Sequence, residues 1–174
     1  MSSTSRARLH PAAITALVVG GVVILGAIGF LVWLLTAPQP TPNEQATQKL
    51  VQWQEIFEKY RSAHDTLPDM PPGGYCLATG FPVGVGGTAN CRDYNGVNYY
   101  TETASVPLRD ALASVGELPQ GVSAPVHGTV GPYALYDDAG VRLLTAEDGT
   151  CVAPATEVWN DGGSLYICQI LLTR

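Results

Sequence analysis

The feature that most constrains this chain is an uncharged stretch of 26 residues, Ala12 to Ala37, with Pro11 before it and Pro38 after it. As an α-helix it would extend about 39 Å at 1.5 Å per residue, enough to cross a hydrocarbon core of about 30 Å with some tilt. Both prolines suit that reading, because Pro11 fits a first helical turn and Pro38 prevents continuation. Trp33 falls near the outer end, where an interfacial indole is at home. A cleaved secretory signal would have an apolar core of roughly 7 to 15 residues ahead of a small-residue cleavage site. Here the core is longer, and the candidate site Leu35-Thr36-Ala37 runs straight into Pro38. A buried helix of a soluble protein is a poorer match to the length and lack of charge. The expectation is a retained transmembrane helix over residues 12–37.

The flanks orient it. Arg6 and Arg8 precede the run and the next basic residue is Lys49. The positive-inside rule then places residues 1–11 as a cytoplasmic tail and residues 38–174 outside the membrane. Small residues recur at Ala12, Ala16 and Gly20, a spacing common enough in spans that no helix pairing is inferred from it. Pro38, Pro40 and Pro42 mark 38–42 as a stiff spacer in extended geometry. Residues 43–174 are one domain's worth of chain. They hold 7 basic and 15 acidic side chains, a net charge of −8. Phosphate-backbone binding calls for the opposite sign, so no nucleic-acid partner is expected. The partner implied directly is the lipid bilayer, through 12–37.

Within the outer part, Ala46, Leu50, Trp53, Phe57, Tyr60 and His64 recur at three- and four-residue spacing, flanked by Val51 and Ile56. This predicts an amphipathic helix of about six turns, ending before Pro68, with Asn43 as N-cap and Glu44 favourable to its dipole. Glu55 with Lys59, and Glu58 with Arg61, are spaced as exposed-face pairs. Residues 69–96 read as loop, with Pro71-Pro72-Gly73-Gly74 and Gly84-Val85-Gly86-Gly87. A short helix is predicted over 107–115, capped by Ser105, opened by Pro107 and closed by Gly116. Tyr133 to Tyr136 and Val141 to Thr145, around Asp137-Asp138-Ala139-Gly140, read as a hairpin. A last strand is predicted over 164–172, after the turn Asn160-Asp161-Gly162-Gly163. The fold class is α+β, with a long helix packed on a small antiparallel sheet.

All four cysteines, Cys76, Cys91, Cys151 and Cys168, lie beyond the apolar run. An even count on the side expected to be oxidising reads as disulfides. Three pairings are possible, and sequence alone does not choose among them. The sequential one, Cys76 with Cys91 and Cys151 with Cys168, is favoured because each bond closes a turn-rich segment of modest length. Zinc fits poorly, since no two cysteines are two to four residues apart and only His64 and His127 accompany them.

No constellation for catalysis stands out. Gly162-Gly163-Ser164-Leu165-Tyr166 lacks the closing glycine of a nucleophile elbow, and the glycines at 84–87 have no Lys-Ser/Thr after them. His64 suits the C-terminal dipole of the long helix, while His127 lies in a Pro/Gly-rich connector. No enzyme activity and no cofactor are expected. The carboxylates Asp137, Asp138, Glu147, Asp148 and Asp161 all read as turn residues. They are also calcium candidates, though no EF-hand spacing is present. Tyr94, Tyr99, Tyr100, Tyr133 and Trp159 could line a glycan- or peptide-binding surface of an envelope partner; half-buried sheet positions are the plainer reading.

This order of elements resembles type IV pilins and the pseudopilins of type II secretion. The resemblance lies in the apolar N-terminal run, the amphipathic stretch Leu50 to Tyr60, the following Leu67-Pro68, the short helix with Leu118-Pro119, and the late hairpin and strand holding two cysteines. Tyr75 to Pro82 and Cys91-Arg92-Asp93-Tyr94 look similar to pilin-like surface proteins of small-genome bacteria. The resemblance implies a pilin-like head. Prepilins are cut after a glycine and carry a glutamate at the fifth mature position. Arg8 to Gly21 has no such text, the apolar run contains no glutamate, and three prolines interrupt what pilins keep as one helix. The expectation is therefore a fixed anchor carrying a pilin-like, non-catalytic structural or interaction head in a bacterial cell envelope. The alternatives are an assembling pilus or secretion-system subunit and a calcium-dependent envelope binder. Some pseudopilins bind calcium in a C-terminal loop, but the acidic turns here do not match that loop.

Overall fold

In the computed structural model the described residues are 38–174, without 84–86, 88, 95–96, 127–130 and 173–174 and without the side chains of 92–99. The predicted span lies outside them. Among the described residues no helix is long and apolar enough to cross a membrane.

Helix α1, Pro42–His64, is 23 residues long. Its N-cap is Thr41, not Asn43. The Thr41 hydroxyl accepts from the Glu44 N–H at 3.2 Å, and the Glu44 carboxylate accepts from the Thr41 N–H at 2.6 Å, closing a capping box. Pro42 can occupy the first helical position because its missing N–H would be unpaired there anyway. So the helix starts inside the stretch predicted as spacer, and Pro42 opens it where a break was expected. Asp65 closes it in the left-handed conformation at φ 61°. Ala46, Thr47, Leu50, Trp53, Ile56 and Phe57 form its buried face. Of the two predicted surface pairs, Glu58 with Arg61 is formed.

That face packs on a five-stranded antiparallel sheet in the order β1-β4-β5-β7-β6. The strands are β1 (Gly73–Cys76), β4 (Tyr133–Asp137), β5 (Gly140–Asp148), β6 (Thr156–Asn160) and β7 (Leu165–Leu172). Strands β5 and β7 run under the helix. Alternation then sorts the side chains. Ala134, Tyr136, Val141, Leu143, Cys168, Ile170 and Leu172 join the helix in one core cluster, while Tyr133, Leu144, Ala146 and Ile167 build a second with Cys76, Phe81 and Cys91. The α+β reading, both hairpin strands and the last strand are therefore observed, with the hairpin register Tyr136 to Val141 and Asp137 to Gly140.

Residues 69–96 are not all loop. They hold β1 and β2 (Asn90–Tyr94), and β2 pairs with β3 (Val97–Thr101) in a bulged two-stranded ribbon. Glycines disguised β1. Gly74 is there because the Tyr100 ring covers it: a Cβ would stand 2.1 Å from Tyr100 Cζ. The short helix is also earlier than expected, a 3₁₀ turn at Thr103–Ser105 followed by α2 at Val106–Ala113. Ser105 stands at the N-cap position as expected, but its side chain makes no cap bond. The buried Ser105 hydroxyl accepts the Cys76 N–H at 2.7 Å and donates to the Thr101 carbonyl at 2.7 Å, locking β1 to the end of β3.

Candidate functional site

The five candidate carboxylates are spread over two ends of the sheet. Gly140 and Asp148 open and close β5, eight steps or roughly 27 Å apart at 3.4 Å per residue. Asp137 and Asp138 lie at the Gly140 end. Asp137 accepts from the Ala139 N–H at 2.9 Å and pairs with Arg142, and Asp138 is exposed in the turn. Glu147, Asp148 and Asp161 lie at the other end. Asp161 accepts from the N–H groups of Gly163 at 2.7 Å and Leu165 at 3.2 Å, the self-bonding that makes aspartate a turn residue. Among the described residues no three His, Cys, Asp or Glu side chains converge as metal ligands would.

Glu147 corrects the turn assignment. It is a strand residue with no exposed surface, turned toward α1. One carboxylate oxygen accepts the Thr47 hydroxyl at 2.6 Å and the other accepts the Val152 N–H at 2.8 Å. Burial raises its pKa above the ordinary glutamate range, against the lowering effect of those two hydrogen bonds. The Thr47 oxygen also lies 3.2 Å from the Val152 carbonyl. A protonated Glu147 can thus donate to Thr47 while Thr47 donates to Val152, so both charge states find partners. Beside this pair, the Asn43 side chain donates to the carbonyls of Asp148 and Thr150 at 2.8 and 3.1 Å and accepts the Asp148 N–H at 2.9 Å. The first two turns of α1 thereby hold the segment from β5 to Val152. The sequence shows only a capping-type asparagine and a threonine four residues on.

The cysteines pair as Cys76 with Cys91 and Cys151 with Cys168, and none is free. The first bond joins the five-stranded sheet to the ribbon. The second fastens the segment beyond Glu147 to β7. Of the candidate aromatics, Tyr133 is fully buried, Tyr100 is partly buried against it at 5.8 Å between ring centres, and Trp159 is half exposed on the edge strand β6. Tyr94 and Tyr99 side chains lie outside the described set, as does His127. His64 stacks on Tyr60 at 4.2 Å.

A cleft of about 530 Å³ opens where α1 ends, between residues 61–70 and the start of the β4–β5 hairpin. Tyr136 and Val141 form its sheet side, and Arg61, Asp65 and Asp69 carry its charges. No motif in the sequence announces it, because its two halves are about 70 residues apart.

No family model, curated protein or solved structure matches this chain. Its functional reading therefore rests on its own residues.

Proposed function

We propose that the chain is a single-pass envelope protein in which residues 12–37 anchor a pilin-like, non-catalytic head that serves as a structural or interaction module. The observation that carries the reading is the apolar run followed by a head whose four cysteines are all paired, a combination suited to an oxidising, extracytoplasmic setting. One long helix laid across an antiparallel sheet supports the pilin-like part. The non-catalytic part is supported by the carboxylates: Asp137, Glu147 and Asp161 are each bonded to backbone or to a neighbouring side chain in the fold.

The N-terminal mass of protein recovered from membranes, compared with a sheared extracellular fraction, tests the anchor. An intact N-terminus found only in membranes is the expected result. A shortened N-terminus in the sheared fraction would replace this reading with an assembling pilin-type subunit. Turnover by the full chain that one side-chain change abolishes would end the non-catalytic reading. A calcium-dependent rise in melting temperature would favour the calcium-dependent binder.

A further inference from the structure

The cleft at the end of α1 has a polar group at its base that nothing among the described residues satisfies. Tyr136 is 7% exposed, and its hydroxyl has no hydrogen-bond partner among the described residues. Its neighbour shows the contrast. Tyr75, edge-on to Tyr136 at 5.4 Å, donates its hydroxyl to the Pro71 carbonyl at 2.8 Å. Leaving a buried hydroxyl unpaired costs roughly 1–3 kcal/mol, and folded proteins hold few such groups. A phenol oxygen can both accept and donate, and this one, enclosed at the base of the cleft with almost no accessible surface, offers an unused hydrogen-bonding group to a ligand that opens the cleft wall to it.

The surroundings define the ligand's charge. Asp65 and Asp69 stand exposed at the cleft, and the carbonyl end of a 23-residue helix points the same sign of partial charge there. Among the described residues that line it, the basic one, Arg61, is paired with Glu58. Burial raises the Tyr136 pKa far above the tyrosine range, with Tyr75, Tyr60 and Asp69 adding to the effect, so the floor is a neutral phenol beside a carboxylate. Leu67, Met70 and Val141 supply apolar walls. At about 530 Å³ the space is that of a small-ligand site.

We propose that this cleft binds an ammonium or guanidinium group carried on an apolar stem, the chemistry shared by a basic side chain of a peptide and a free diamine. The cationic head sits against Asp69 and Asp65, its N–H groups reach the Tyr136 oxygen, and the stem lies along Leu67, Met70 and Val141. The inference is independent of membrane anchoring.

The chain has two methionines, Met1 and Met70, so methyl-labelled full-length protein in detergent micelles carries one reporter in the cleft. Titration with 1,5-diaminopentane and with a lysine-containing tripeptide should shift the Met70 signal saturably, and 1-pentanol should not. Asp69→Asn, a change at an exposed position, should weaken binding at least about tenfold, and Tyr136→Phe by several-fold. Raising the salt concentration should weaken it as well. Saturation by the diamine alone or by the peptide alone identifies the source of the cation. No saturable shift with either amine, an equal response to 1-pentanol, or unchanged affinity in Asp69→Asn would each overturn the proposal.

Discussion

The Thr47 hydroxyl meets the Glu147 carboxylate at 2.6 Å in the buried seam between α1 and β5, across 100 residues of sequence. The burial of that carboxylate, which outweighs the opposing effect of the hydrogen bond, makes stability depend on pH. Because burial raises the Glu147 pKa, the folded chain holds that proton more readily than the unfolded chain, whose value is near 4.5. The stabilisation is complete below the unfolded value and is lost as pH rises through the folded one. In urea titrations the stability of the native sequence relative to Glu147→Gln should therefore fall with rising pH above about 4.5. The slope should not exceed about 1.4 kcal/mol per pH unit for one proton. A difference that is flat, or that grows with pH, would contradict the assignment.

Asn43 was expected to cap α1, yet it spends its side chain on Asp148 and Thr150. Asn43→Ala should leave the Thr41 capping box in place and free the segment after β5. We expect a loss of about 1–2 kcal/mol, with faster amide exchange at Asp148, whose N–H loses its acceptor. Faster exchange confined to the first turn of α1 would instead restore Asn43 to the capping role.

How much of this was legible in sequence depends on whether a signal is local. The buried face of α1 was readable because Leu50, Trp53 and Phe57 recur at the helical period and tertiary packing follows that stripe. The hairpin at Asp137 to Gly140 and the turn at Asp161 were readable because aspartate and glycine act within a few residues. Strand β6 was not, since Thr156 to Trp159 are all exposed on a sheet edge and show no inward alternation. Strand β1 was hidden by Gly73 and Gly74, whose purpose appears only when Tyr100 arrives from β3. Glu147 was misplaced because a charged residue beside Asp148 and Gly149 looks like a turn, and its burial becomes tolerable only with the Thr47 hydroxyl from α1 and the Val152 N–H in place. The Tyr136 cleft joins two distant segments and left no trace in local pattern.

The disulfides give a third prediction. Each bond closes a loop of 15 or 17 residues, and constraining the unfolded chain in this way contributes about 3 kcal/mol per bond. Cys76→Ala with Cys91→Ala should lower stability by about that amount, and so should the Cys151, Cys168 pair. Peptide mapping without reduction should recover the 76–91 and 151–168 links. Recovery of a 76–151 or 76–168 link would refute the pairing.

Tyr100 and Gly74 supply the last test. The Gly74 backbone is not left-handed, so alanine is excluded by space alone. Its methyl would fall inside the Tyr100 ring, which cannot swing freely because it packs against Tyr133. Overpacking of this kind costs about 1–3 kcal/mol. Gly74→Ala should lose that much stability in the native background and far less when Tyr100→Ala is already present. The double-mutant cycle should then show a coupling within the range of about 0.5–3 kcal/mol typical of touching residues. Additive losses would mean that the Tyr100 ring does not rest on β1, and the ribbon would then be held to the sheet chiefly by the Cys76–Cys91 bond and the Ser105 hydrogen bonds.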